Sequence, residues 1–398
     1  MALGPGARVS GLALWALLRI ARGAALDLAE WTTSRWYVQV DGVMGGRSSG
    51  RMELAASGAS FEGSINLNGG GFASFRRNFG ATDLRPYAGL WVEVDTLPVT
   101  ALTPLAVHVQ LEDQSRYNGF GAAFAIPPGP PGSTYSTFLP FSWFTKQLRW
   151  ACSGCSLDVS RITGLSVYVL YQEGAYSFRV RKILALPSQE VPAQEMVPTL
   201  ILSNEEAWKR ITAAIKKGSF VWNQGYRALC GAIYNSTALT VAAATNVTAS
   251  AQSIAQAASL MAEPYPVNKG GDAAWIFRRG FDQILAAYEG STPRDETSYP
   301  SVARGDWVEA ASQGKDVRLL PVSQLEGGAT SSTSQSPHAI TTTVAAVATK
   351  TTTTKLENAA AGDMLTPGPA DLQQQSGTGA LSGSLLWLLM LGGAMCGF

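Results

Sequence analysis

Hydrophobic and polar residues alternate with a period of two along much of the first half of the chain. The clearest runs lie at residues 90–94, 105–111 and 165–171, and each is rich in β-branched and aromatic residues. This pattern is typical of strands that bury one face. The glycines and prolines of residues 127–132 predict a loop between such strands. Because no helical period intervenes, we predict that residues 28–186 form a β-sandwich.

The hydrophobic period changes after a linker at residues 187–199. Apolar residues then recur at helical spacing behind Ser203 and Glu206, a pair that fits a capping box. Gly218 is predicted to end this first helix, and further apolar stretches follow it. We therefore expect a small all-α bundle of about four helices over residues 200–290.

Two glycine-rich stretches stand out in the predicted sandwich, DGVMGGRSS at residues 41–49 and NGGGFASFR at residues 68–76. Glycines at strand ends indicate tight turns or bulges. In a functional interpretation, Asp41, Arg47 and Arg76 form a polar binding patch for a sugar, a carboxylate or a partner chain. In a structural interpretation, Asp41 caps its own turn and the arginines join neighbouring loops. The sequence leaves both interpretations open.

These motifs resemble the signature of the complex I intermediate-associated protein 30 family. The resemblance also includes LWVEV at residues 90–94 and LPFSWF at residues 139–144, and it covers about residues 28–186. It implies a jelly-roll β-sandwich of the galactose-binding type. It also implies a non-enzymatic assembly chaperone that binds subunits or assembly intermediates of mitochondrial NADH:ubiquinone oxidoreductase (complex I).

Residues suited to catalysis or metal binding are scarce, since the chain has two histidines and four cysteines. We expect His108 to be a half-exposed strand residue and not a base, and His338 lies in a low-complexity segment. Carboxylates are present, but nothing in the sequence pairs them for glycoside hydrolysis. The sequence therefore predicts no enzyme, no cofactor and no metal site. The net charge of +1 gives no indication of nucleic-acid binding.

Cys152 and Cys155 form a lone Cys-x-x-Cys motif. A zinc site would need two more ligands, and neither Cys230 in a predicted helix nor Cys396 near the end of the chain is a good candidate. A redox pair would require a βαβ setting, which the pattern lacks. For a secreted chain, we predict a local disulfide between Cys152 and Cys155.

The two ends of the chain suggest targeting. Residues 1–26 combine a basic start, a short apolar run and a small-residue exit, which is typical of a secretory signal peptide. Arg19 and Arg22 also fit a mitochondrial transit peptide, so both interpretations stay open. The apolar residues 379–398 fit either a GPI-attachment signal or a single membrane span. In both cases we expect the tail to contact a membrane.

The segment between the helices and this tail, residues 291–378, is predicted to be a disordered stalk rich in serine, threonine and alanine. Asn235 and Asn246 lie in N-glycosylation sequons that we place between helices. These features predict a membrane-attached glycoprotein of the secretory pathway or cell surface, with the mitochondrion as the alternative. The corresponding function is binding of a glycan or another ligand by the jelly roll, whereas the family resemblance favours protein binding during assembly.

Overall fold

The computed structural model describes residues 24–32, 35–114, 119–146, 155–191, 197–263, 271–315 and 317. The first 23 residues of the predicted targeting peptide, the stalk beyond residue 317 and the C-terminal tail lie outside these residues. The described part contains twelve strands followed by five α-helices. No helix in it combines the length and the apolar character that crossing a membrane requires.

The twelve strands form two antiparallel sheets. Their bounds are Leu26–Asp27 (β1), Trp36–Val40 (β2), Ser49–Ala55 (β3), Gly58–Ile65 (β4), Phe72–Thr82 (β5), Gly89–Asp95 (β6), Leu105–Asp113 (β7), Gly119–Ile126 (β8), Thr134–Pro140 (β9), Thr145–Lys146 (β10), Ile162–Leu170 (β11) and Gly174–Leu186 (β12). The first sheet has the order β3-β4-β12-β6-β9, with β1 also on β12. The second sheet has the order β10-β8-β7-β11-β5-β2.

The core of the sandwich lies between the inner faces of the two sheets. Alternate residues of each strand point into it, as the period of two predicts, so β5 contributes Ala73 and Phe75 while β7 contributes Val107 and Val109. Phe61 on the first sheet meets Phe75 on the second with ring centroids 5.1 Å apart, in an edge-to-face geometry that favours aromatic pairs. The predicted jelly-roll sandwich is confirmed.

The helices are Asn204–Asn223 (α1), Arg227–Ala243 (α2), Ala249–Ala262 (α3), Asp272–Glu289 (α4) and Trp307–Ser312 (α5). The predicted capping box is present at the start of α1, where Ser203 Oγ accepts from Glu206 N and the Glu206 side chain accepts from Ser203 N. This box satisfies two backbone donors that a helix start otherwise leaves unpaired.

The prediction that Gly218 ends the first helix is wrong, since α1 continues to Asn223. Gly218 is an interior, buried position of α1 that faces the ring of Tyr234 on α2. A Cβ atom at this position would lie 2.3 Å from Tyr234 Cε1. Glycine therefore permits close approach of the two helices, a role that the local sequence does not distinguish from helix termination.

The helical region shares a core with the sandwich. Ala106, Ala123, Ala125 and Leu170, on the outer face of the second sheet, are buried together with residues of all five helices. The small size of the three alanines, which lie on β7 and β8, permits α2 to approach these strands closely.

Two cations of α1 fix the contact with the sandwich. The Arg210 guanidinium donates to the carbonyl oxygens of Val99 and Ala101 at 2.6 Å each. Lys217 Nζ donates to Thr103 Oγ1 and to the carbonyl oxygen of Pro104. Each cation thus pairs with polar groups of the loop between β6 and β7, which would otherwise need water.

The prediction that the stalk begins at residue 291 is wrong, because the chain remains folded as far as α5. Tyr299 and Trp307 are buried in the core of the helical region. Arg279 on α4 binds this segment by donating to Glu296 and to the carbonyl oxygens of Ala303 and Gly305. The polar composition of residues 291–306 conceals these few anchoring contacts, which form over sequence distances that a local pattern does not report.

Candidate ligand-binding surface

Asp41 lies where the two glycine-rich stretches meet. It follows β2 directly and opens a short 3₁₀ turn, Asp41–Met44. Its Oδ1 atom accepts from Ser48 N at 2.9 Å, and its Oδ2 atom accepts from Ser48 Oγ and Gly71 N at 2.6 Å each and from Phe72 N at 3.3 Å. One carboxylate thus joins the end of β2 to the starts of β3 and β5.

The neighbouring glycines leave room for this carboxylate. A Cβ atom on Gly46 would lie 2.3 Å from Asp41 Cγ, and one on Gly70 would lie 2.3 Å from Asp41 Oδ2. Such distances are far inside van der Waals contact, so both positions require glycine. The spacing of glycines around Asp41 is explained by backbone packing against its side chain.

Asp41 has no exposed surface, so its carboxylate is not accessible to a ligand. Burial raises the pKa of the Asp41 carboxyl group, but the hydrogen bonds from Ser48, Gly71 and Phe72 outweigh this effect and hold the pKa below its usual value. The geometry supports a structural role for Asp41, but among the described groups its carboxylate accepts from Ser48, Gly71 and Phe72 and not from the N–H groups of the turn that it was predicted to cap. Arg47 is exposed in the turn that leads to β3.

Arg76, the third predicted binding residue, lies elsewhere on the outer face of the second sheet. It pairs with Tyr37 at the start of β2, whereas Asp41 follows the end of β2. The two positions differ by about three to four residues along the strands, or roughly 10–13 Å. The structure therefore does not bring Asp41 and Arg76 into one site.

The register places a set of outward-facing residues beside Arg76, and we call this set the polar row. It runs across the six strands of the second sheet as Tyr37, Arg76, Ser166, Gln110, Gly121 and Thr145. Tyr37 is 43% exposed, and Arg76 and Gln110 are partly exposed. The same face is apolar two to four residues farther along the strands, where the helical region covers it. The sheet thus has one half covered by helices and one half with accessible polar groups.

The contacts of Arg76 leave part of its hydrogen-bonding capacity available. Its Nε atom donates to Ser74 Oγ at 3.0 Å, and its guanidinium carbon lies 4.9 Å from the ring centroid of Tyr168. Among the described acidic residues, none forms a salt bridge with Arg76 within 4.0 Å. A guanidinium held on an aromatic ring with free N–H groups is suited to bind a carboxylate, a phosphate or a carbonyl oxygen.

Residues near Arg76 add further hydrogen-bonding groups. Gln110 Nε2 lies 3.4 Å from Glu112 Oε1, and both side chains are partly exposed. Burial raises the pKa of Tyr168 to about 12, so its hydroxyl group stays neutral at physiological pH. Tyr37, Gln110, Glu112 and Tyr168 were not among the binding residues predicted from the sequence. Their alternation with core residues was visible in the sequence, but their adjacency depends on strand order and register.

The signature noted in the sequence consists of the glycine-rich motifs and of the strands that they join, and both are now described. Residues 27–181 match the sequence model of the complex I intermediate-associated protein 30 family. The resemblance predicted from these motifs is thereby confirmed. The match covers the sandwich and ends within β12, so all five helices lie outside it. No curated protein matches the chain.

Several solved structures resemble part of this chain. One is a family 11 carbohydrate-binding module from Clostridium thermocellum in complex with a β-1,3-1,4-mixed-linked tetrasaccharide, with 14% identity, a TM-score of 0.31, and coverage of 41% of this chain and 95% of that chain. Another is the agarase AgWH50C, with 11% identity, a TM-score of 0.30, and coverage of 50% and 31%. A third is the tailspike protein 4 enzymatically active domain of bacteriophage CBA120, with 15% identity, a TM-score of 0.25, and coverage of 40% and 20%.

His108 on β7 is buried, so the prediction of a half-exposed residue is wrong. It lies between Tyr168 on β11 and Ala123 on β8, and its ring meets that of Tyr168 edge to face. Neither ring nitrogen has a hydrogen-bond partner in the described part of the chain. Burial lowers the pKa of His108 to about 4, so the imidazole is neutral at pH 7.

We expect this histidine to make the fold sensitive to acid. The pKa of the His108 imidazole is about 6.5 in the unfolded chain and about 4 in the folded chain. Protonation of His108 therefore does not affect stability above pH 7, and it destabilises the fold as the pH falls from 6.5 towards 4. Between pH 7 and pH 4.5, wild type should lose about 2 kcal/mol of unfolding free energy that His108→Leu retains. Urea unfolding at the two pH values measures this difference. His338→Leu should behave as wild type, and equal acid sensitivity of His108→Leu and wild type would contradict the prediction.

The cysteines and metal-binding groups add no catalytic site in the described residues. Cys155 is disulfide-bonded, but Cys152 lies outside the described residues, so their pairing stays a prediction. Cys230 is a free, buried thiol, and burial raises its pKa to about 12, which keeps it protonated and unreactive. In the described part of the chain, no group of three or more histidines, cysteines and carboxylates is placed to hold a metal ion.

The two sequons differ in their setting. Asn246 is exposed in the turn between α2 and α3, with a positive φ of 66°. Asn235 is partly buried in the middle of α2, which corrects its predicted position between helices. The threonine of its sequon, Thr237, is buried and donates to the carbonyl oxygen of Ile233. The folded structure therefore presents Asn246 and not Asn235 as an accessible site for a glycan.

Proposed function

We propose that this protein is a non-enzymatic binding protein that assists the assembly of complex I by holding subunits or partly assembled intermediates. The observation that carries the proposal is the family match over residues 27–181, because it covers the sandwich that contains the polar row. The proposal places the partner contact on the polar row. Arginine and tyrosine are, with tryptophan, the residue types enriched among the strongest contributors to protein interfaces, and Arg76 and Tyr37 are adjacent on this surface.

Co-purification tests this proposal. A tagged full-length chain should recover hydrophobic complex I subunits from detergent-solubilised mitochondria, and the double variant Tyr37→Ala/Arg76→Ala should reduce recovery about tenfold. Tyr288→Ala is the matched control, because Tyr288 is a 47% exposed tyrosine on α4, far along the chain from the polar row. Absence of complex I subunits from all fractions would reject the proposed function. Recovery that the double variant leaves unchanged would move the contact to another surface.

Binding of a glycan by the polar row is the second candidate function. The specific observation in its favour is the exposed Tyr37 beside Arg76, with Gln110 on the same row beyond Ser166. Planar N–H donors can hydrogen-bond to sugar hydroxyl groups, and an exposed aromatic ring can pack against the apolar face of a sugar ring. The chain should then be retained by a specific glycan at high salt. Retention should be lost in Arg76→Ala and kept in Arg47→Ala, because Arg47 lies in the turn at the other end of β2. Equal retention of the two variants would count against a site at the polar row.

Entry into the secretory pathway is the second part of this alternative, in which the chain is a membrane-attached glycoprotein. If it is correct, enzymatic removal of N-glycans from the expressed full chain should increase its electrophoretic mobility. We expect Asn246→Gln to abolish this shift and Asn235→Gln to preserve it, because only Asn246 is exposed in a turn. A shift that depends on Asn235 alone would contradict the assignment. No shift in wild type, with a trimmed N-terminus recovered from mitochondria, would favour the assembly function.

A further inference from the structure

A crevice of about 640 Å³ lies between the edge of the sandwich and the helical region. Strands β8 and β9 form one wall, and helices α2 and α3 form the other. Its lining is largely apolar and includes Phe124, Phe138, Trp143, Leu239 and Leu260. Sites that bind small organic molecules typically have volumes of about 300–1,000 Å³ and a lining of this kind. This crevice is separate from the polar row, with which it shares no lining residue.

One polar group in the wall lacks a partner. Ser236 on α2 is 3% exposed, and its hydroxyl group forms no hydrogen bond in the described structure. Its neighbours Thr237 and Thr240 behave differently, because each donates to the carbonyl oxygen one helical turn earlier, at 2.8 Å. A buried hydroxyl group without a partner is unfavourable unless a ligand or water supplies one. Ser236 therefore indicates where a polar atom of a bound molecule would lie.

The charges of the wall restrict the class of ligand. Among the described residues that line the crevice, Glu263 is the one charged side chain, and it is exposed at the end of α3. The other polar side chains of the described lining are neutral, among them Thr137, Asn235, Gln256 and Ser259. An anionic ligand would thus be desolvated without a counter-charge, which is costly. The lining favours a neutral molecule.

We propose that this crevice binds a neutral, largely apolar small molecule whose carbonyl or hydroxyl oxygen accepts a hydrogen bond from Ser236 Oγ. The apolar part of the ligand contacts the aromatic and aliphatic side chains of β8, β9 and α3. Leu260 contributes from the rim, where it is 41% exposed. The site goes beyond the proposed function, because it is formed jointly by the sandwich and by helices that the family match does not cover.

Binding of Nile red to the full-length protein tests the proposal. This dye is neutral, carries a carbonyl oxygen, and becomes more fluorescent in apolar surroundings. We expect saturable binding of one molecule per chain, weakened about tenfold in Leu260→Asp, since a charged group would then face the apolar ligand. Leu102→Asp is the matched control, because Leu102 is a 53% exposed leucine in the loop between β6 and β7 and should leave binding unchanged.

Ser236→Ala separates ligand binding from fold stability. It should weaken Nile red binding about fivefold, which corresponds to the loss of one hydrogen bond, while its unliganded melting temperature should equal or exceed that of wild type. The second expectation follows because the substitution removes an unpaired buried hydroxyl group. Absence of saturable binding, or equal binding by wild type and Leu260→Asp, would overturn the proposed site. Unchanged binding by Ser236→Ala would overturn the assigned hydrogen bond.

Discussion

Asp41→Asn is expected to lower the free energy of unfolding by about 3 kcal/mol without removing any surface that a ligand could reach. The substitution preserves the shape of the side chain but replaces one acceptor oxygen with a donor. Backbone N–H groups of Ser48, Gly71 and Phe72, and the Ser48 hydroxyl group, all point at this carboxylate. At least one of them would then face another donor in a buried site. Urea unfolding at pH 7 measures the loss.

Two comparisons make this test specific. Asp83→Asn alters an exposed carboxylate that pairs with Arg85, and it should leave the unfolding midpoint almost unchanged. Gly70→Ala should destabilise the protein as Asp41→Asn does, because its methyl group would lie 2.3 Å from Asp41 Oδ2. Gly80→Ala, on β5, should be tolerated, since no atom lies within 4 Å of the added carbon. If Asp41→Asn kept wild-type stability but lost partner or glycan binding, the binding interpretation of Asp41 would be correct instead.

The contribution of the Asp41 carboxylate to stability depends on pH with a defined sign. The pKa of Asp41 is lowered in the folded state, so its contribution is present above the usual carboxyl pKa and is lost as the pH falls through the folded value. The acid transition attributable to Asp41 therefore lies below that of His108, whose destabilising effect begins near pH 6.5. Urea unfolding of Asp41→Asn and His108→Leu at several pH values would separate the two contributions.

The fold of the sandwich was predictable because its information is local. A period of two, broken by glycine and proline turns, defines strands such as β6 and β7 without knowledge of their neighbours. The capping box at Ser203 and Glu206 is equally local, and it was found at the predicted place. Gly218 shows the limit of such reasoning, since its role depends on Tyr234, sixteen positions away on another helix.

The candidate surface was only partly predictable for the same reason. Arg76 was selected because glycines precede it, yet its accessible neighbours on the same row, Tyr37 and Gln110, come from two other strands, and Ser166 of β11 lies between Arg76 and Gln110. Strand order determines which of these side chains meet, and no single stretch of sequence contains that order. Asp41 was selected for its polarity, whereas its burial follows from the two glycine-rich stretches that pack against its side chain.

Arg279→Met is the second substitution for which we expect a large effect, a loss of about 3 kcal/mol of unfolding free energy. Arg279 is buried on α4, and its guanidinium carbon lies 5.2 Å from the ring centroid of Trp307. It donates to Glu296 at 2.8 Å and to the carbonyl oxygen of Ala303 at 2.9 Å. Methionine fills a similar volume but leaves these acceptors without donors.

The position of the affected segment distinguishes this prediction from general destabilisation. Amide hydrogen exchange should increase over residues 296–312 in Arg279→Met at denaturant concentrations where the sandwich remains protected, because the lost contacts join that segment to α4. Arg279→Lys should lose nearly as much, since one ammonium group does not reproduce the planar set of donors that reaches Glu296, Ala303 and Gly305 together. Arg85 is the exposed partner of Asp83, and Arg85→Met should change neither the free energy of unfolding nor the amide exchange over residues 296–312. If amide hydrogen exchange over residues 296–312 were the same in Arg279→Met as in wild type, the result would show that Tyr299 and Trp307 hold this segment through apolar packing alone.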